Sequence, residues 1–97
     1  MKIELVKFGD VLISRPDGRE AYLVLLANQL KDLLPSEPIE LDFKGVKVLA
    51  PSWADEVITK IASSYDVVKL VNIETVHIIT KSSLDAINFN LISDFFR

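Results

Sequence analysis

The clearest periodic pattern in the chain has Ala54, Val57, Ile58, Ile61, Ala62 and Tyr65 recurring at spacings of three and four. Asp55, Glu56, Thr59, Lys60, Ser63 and Ser64 fall on the opposite side, which predicts an amphipathic helix over residues 53–65. Ser52 is the expected N-cap, with Asp55 as its capping-box partner and Pro51 just outside. Upstream, Ile39, Leu41 and Phe43 alternate strictly with Glu40 and Asp42, the period of a half-buried strand, and a long loop joins this strand to the helix. The valine-rich stretch 67–73 predicts the next strand, parallel to its predecessor through a right-handed crossover.

The N-terminal third follows the same logic. Residues 1–8 alternate loosely, Gly9-Asp10 is a tight-turn signal, and residues 11–14 form a second short β run, so the two predict an antiparallel hairpin. A helix is expected over residues 18–34, with Asp17 and Glu20 at its acidic start and Pro35 and Pro38 stopping it. From Glu74 or Thr75 onward the chain reads as helical again, with a break near Ser82. Together these elements predict one α/β domain over residues 1–97. Its mixed sheet has about four strands, an N-terminal antiparallel hairpin beside a parallel βαβαβ core. Right-handed crossovers put the helices mainly on one face and leave the other to water or a partner.

Composition narrows the function classes. Ninety-seven residues with 49% hydrophobic content suffice for one core. No cysteine is present and His77 is the single histidine, so no thiolate site or thiol nucleophile exists and no metal or other cofactor is expected. A net charge of −3 argues against a nucleic-acid binder. No apolar run approaches a membrane span and the start of the chain lacks a signal-peptide core, so a cytoplasmic protein without membrane contact is expected.

The segment Leu41-Asp-Phe-Lys-Gly-Val-Lys-Val-Leu-Ala-Pro-Ser-Trp-Ala-Asp-Glu-Val57 resembles the centre of STAS domains, the sulfate-transporter and anti-sigma-factor-antagonist family. Asp42-Phe-Lys-Gly-Val46 and Pro51-Ser-Trp-Ala-Asp55, preceded by Ser14-Arg-Pro-Asp-Gly18, resemble more closely the small bacterial STAS-like proteins of unassigned function. These often accompany ATP-binding domains of the histidine-kinase type. The resemblance implies a STAS-type fold and a non-catalytic regulatory module. Such a module docks to a histidine-kinase-like ATPase or an anti-sigma-like kinase, and a serine at the start of the second helix is its phosphoacceptor. Where the STAS pattern has Asp-Ser-Ser/Thr-Gly, this chain has Ala50-Pro-Ser-Trp53. The preceding Asp is therefore absent, Pro51 takes the usual phosphoacceptor's place in an ungapped alignment, and Ser52 matches the second hydroxyl position.

Each candidate residue also has a plainer explanation. Ser52 can be a cap alone, and Trp53 can be core rather than an interface anchor. Arg15 and Arg19 suit an anion or a partner's carboxylate, yet arginines flanking a helix start are commonly just solvated. With the second helix's N-terminus they define the rival reading, a nucleotide or anion module. Asp55 is expected in a first helical turn for electrostatic reasons, and Lys44 and Lys47 can simply keep the loop soluble. No constellation argues for an enzyme. The tail carries Phe89, Leu91, Ile92, Phe95 and Phe96, which predict cover for the domain's own core or, as the second option, a homodimer.

Overall fold

The computed structural model describes residues 1–79. Its strands are β1 (Lys2–Glu4), β2 (Val11–Leu12), β3 (Ile39–Asp42), β4 (Val48–Leu49), β5 (Val68–Val71) and β6 (His77–Ile78). Helix α1 is Arg15–Ala27, and helix α2 covers 51–64 in three consecutive parts, Pro51–Ala54, a wider π-helical turn Asp55–Thr59, and Lys60–Ser64.

All described strand pairs are parallel and form two three-stranded ladders, β1-β3-β5 and β2-β4-β6. Three stretches of chain therefore lie side by side, each giving one strand to each ladder. The link between ladders repeats as well: the N–H groups of Gly9, Val46 and Val76 donate to the carbonyls of Val6, Phe43 and Ile73, at 2.9, 2.9 and 3.0 Å. Every link contains a residue with positive φ, namely Gly9 (129°), Gly45 (89°) and Asn72 (59°).

The expected antiparallel hairpin is not formed. Leu5–Phe8 coils into a 3-10 turn that buries Leu5, so β1 ends at Glu4 and the chain advances to the second ladder instead of reversing. Val11 and Leu12 then pair with Val48 and Leu49. A second correction concerns residues 74–79, read as helical. Val76 closes a turn and His77–Ile78 form the edge strand beside β4. The reading of the tail, including a homodimer through it, lies outside the described residues.

Register explains why one face of the first ladder stays wet. Lys2, Glu40 and Lys69 are paired neighbours and all exposed, while the next row, Ile3, Leu41 and Leu70, turns to the core. Asp42 sits in the following row yet is buried, because Asn72 Nδ2 (2.8 Å), the Lys44 N–H (3.0 Å) and Lys2 Nζ (3.3 Å) close over its carboxylate. The Asn72 hydrogen bond, then that of the Lys44 backbone, holds its pKa below the usual carboxylate value. One side chain thus ties all three strands of the ladder. On the inner side Ile39, Leu41, Phe43 and Leu49 pack with Leu25 of α1 and with Trp53, Val57, Ile58 and Ile61 of α2 in a single buried cluster.

Helix α1 begins three residues earlier than its apolar periodicity suggests. Ser14, in extended conformation, accepts from the Asp17 N–H at 3.1 Å, and Pro16 occupies the first turn, where its missing N–H costs nothing. The helix ends at Ala27, and the Asn28 side chain turns back to donate to the Val24 carbonyl at 2.8 Å. Leu30 and Leu33 reach the core from the irregular segment that follows.

Candidate functional site

Two short segments, Ser14 to Gly18 and Pro51 to Glu56, meet where α1 crosses the start of α2. Gly18 makes the meeting possible. A β-carbon there would stand 3.0 Å from the Trp53 carbonyl oxygen, 3.1 Å from Trp53 Cα and 3.1 Å from Glu56 Cβ. A glycine inside a helix lowers helix stability by about 1 kcal/mol relative to alanine, so it needs a packing reason, and this close approach supplies one.

Charge locks the contact. Arg15 donates from one guanidinium nitrogen to Asp55 Oδ2 and to Glu56 Oε1, both at 3.0 Å. Arg19 Nε stands 3.7 Å from the same Glu56 oxygen, and Lys60 Nζ donates to Glu56 Oε2 at 2.6 Å. Glu56 is buried, and it survives ionised because three cations surround it. The hydrogen bonds from Lys60 and then Arg15, reinforced by the charges of Lys60 and Arg19, lower its pKa to about 2. Lys60 also lies 5.3 Å from the centre of the Tyr22 ring, a cation–π contact that adds a further link to α1.

Both carboxylates of the network lie in the π-helical part of α2. Such widened turns recur at functional sites. The same turn leaves the Thr59 hydroxyl buried without a hydrogen-bond partner among the described residues.

Of the residues singled out from sequence, Arg15, Arg19, Trp53 and Asp55 come together in this unit. Ser52 does not cap α2: that position belongs to Ala50, which has no side-chain acceptor, so the Ser52–Asp55 capping box is absent. The capping reading fails because Pro51 already has helical geometry and sets the helix start two residues earlier. Ser52 is half-buried at the second helical position, beside buried Pro51 and Trp53. Lys44 and Lys47 stand apart from the network. The first donates only its backbone N–H to Asp42, and the second pairs with Asp10 at 3.6 Å, both partners exposed.

Arg15 and Arg19 are thus engaged by carboxylates, and an incoming anion would have to displace them. Periodicity places the network's centre, Glu56, on the wet side of the helix, and the structure buries it. Its spacing of four from Lys60 is the one signal of that pairing in the sequence. Among the described residues no group of three or more potential ligands could hold a metal ion, and no helix is long and apolar enough to cross a membrane.

No curated protein and no solved structure matches the chain. The family described as "STAS-like domain of unknown function (DUF4325)" matches residues 24–85. That span takes in β3, the loop after it and all of α2, while the Ser14 to Gly18 half of the unit precedes it. Spanning more than half of the chain, the match shows that this protein belongs to the STAS-like domains of unknown function.

Proposed function

We propose that the domain is a non-catalytic docking module of a regulatory system. Its contact surface is the start of α2 with the connection before it, to which Lys44, Lys47, Ser52 and Asp55 contribute, while Pro51 and Trp53 are buried and support that surface from beneath, Trp53 as core rather than as an interface anchor. The observation that carries this reading is a half-exposed serine on a helix start whose backbone is clamped to α1 by Gly18 and Arg15. A clamped helix start presents one shape and so costs little ordering on binding.

The partner on this reading is an ATP-binding protein of the histidine-kinase type that can also phosphorylate Ser52. A phosphate there adds nearly two negative charges one helical turn from Asp55 and Glu56. It repels those carboxylates and competes for Arg15, so the modification reaches the clamp as well as the partner. The rival anion-binding reading is weakened by the two carboxylates that already hold Arg15.

Immobilised full chain exposed to purified histidine-kinase-type ATPases of the same organism tests the proposal. One of them should bind at micromolar concentration or better, Ser52→Ala should keep the affinity, and Ser52→Glu should lower it about tenfold or more. Absence of any binder rejects docking to this class. Equal binding of the Glu variant, with no Ser52 phosphate by mass spectrometry after incubation with ATP, rejects the switch.

A further inference from the structure

An open groove of about 390 Å³ runs between the first half of α1 and the start of α2. Its apolar floor is Phe8, Ala21, Val24 and Trp53, and its rim carries Asp17 and Glu20. Spacing accounts for the arrangement: positions 17, 20, 21 and 24 fall on one stripe of α1, acidic toward its N-terminus and apolar further along. The rings of Phe8 and Trp53 meet at a 52° tilt with centroids 6.4 Å apart. Val24 is 45% exposed and its neighbour Leu23 61%, so the apolar end continues onto open surface.

The two rim carboxylates differ from Asp55 and Glu56 in one respect. Among the described residues neither Asp17 nor Glu20 has an ion-pair partner, and both are exposed. An aromatic and aliphatic floor beneath two unpaired carboxylates complements a long apolar stem ending in a cation, as in arginine or lysine. It disfavours phosphate and nucleic acid, which the rim would repel.

We propose that this groove receives a basic side chain of the partner protein, an arginine or lysine followed within one helical turn by a large aliphatic residue. The cation sits between Asp17 and Glu20, its stem lies over Phe8, which buried Trp53 backs from beneath, and the aliphatic neighbour covers Val24 and Leu23. This rests on the docking reading above and adds the partner's chemistry to it.

Selection of a random-peptide phage library on the immobilised full chain, followed by amide NMR mapping with the enriched peptides, tests this. Enrichment of Arg or Lys three or four positions from Leu, Ile or Phe is expected, with shifts at Asp17, Glu20, Ala21 and Val24. Asp17→Asn combined with Glu20→Gln should weaken those peptides about tenfold, and raised salt should weaken them for the wild type but much less for the variant. Val24→Lys, an exposed change, should also abolish binding, and melting curves of both variants confirm that the fold persists. Enrichment of acidic peptides, or equal affinity for the double variant, overturns the proposal. Shifts confined to residues 44–52 overturn the groove and leave the docking surface standing, whereas a chain that selects no peptide and binds no ATPase loses both. Concentration-dependent self-association that the double variant abolishes would make the occupant a second copy and also overturn it.

Discussion

The main chain of Gly18 lies against the main chain of Trp53, so close that a β-carbon on the glycine would come within 3.0 Å of the tryptophan carbonyl oxygen. Backbone cannot yield as a flexible side chain can. This contact sets how near α1 comes to α2 and hence whether Arg15 can reach both Asp55 and Glu56.

Gly18→Ala should therefore destabilise the domain, against the helix-propensity gain of about 1 kcal/mol that alanine brings. Overpacking a tight contact costs about 1–3 kcal/mol, so the net change in a urea titration should be a loss. A more stable variant would mean that the helices are not in this contact in solution.

Two serines at helix starts should behave oppositely. Ser14 caps α1, and Ser14→Ala should cost about 0.5–2 kcal/mol. Ser52 caps nothing, so Ser52→Ala should change stability by less than about 0.5 kcal/mol. Equal losses at the two positions in the same denaturation assay would contradict the assignment of Ala50 as the cap of α2.

Much of this architecture is legible in the residues themselves. The alternation around Glu40 gives β3 and its wet outer row, and the spacing from Ala54 to Ile61 gives α2. What periodicity misses is governed by contacts remote in sequence. Residues 1–8 alternate like a strand, but Leu5–Phe8 form a 3-10 turn, and that turn replaces a hairpin with two parallel pairings. Ser14 caps α1 from three residues before Asp17, whereas the apolar stripe further along places the expected start at Gly18. Glu56 looks solvated because no local pattern reveals that Arg15, about forty residues earlier, will arrive beside it.

Gly45 supplies a third test. Its φ of 89° is a conformation that a β-carbon opposes, and Val6 Cγ2 would lie 3.0 Å from that carbon. Gly45→Ala should destabilise by about 1–2 kcal/mol from backbone strain alone. Asn72→Gly, at the equivalent link, keeps an accessible positive φ but loses the hydrogen bond to Asp42. It should still destabilise, and Asp42→Ala should remove most of the difference in a double-mutant cycle. Independent, fully additive effects would show that Asp42 does not hold Asn72.

The ion-pair network predicts a specific acid response. Glu56 ionises near 2 in the folded protein against an ordinary value of 4.5 in the open chain. Above 4.5 its carboxylate is charged in both states, and the folded state alone offers Lys60, Arg15 and Arg19, so the stabilisation is complete there. As pH falls from 4.5 toward 2 the unfolded chain takes up the proton first, and the stabilisation drains away. Asp42, lowered in the same direction, adds to the loss. Glu56→Gln keeps the shape but not the charge. It should lower the urea midpoint at near-neutral pH, and the gap from wild type should narrow by about pH 3. A gap of constant size across that range would show that the charge of Glu56 contributes nothing to holding α1 against α2, and that only the shape of its side chain matters.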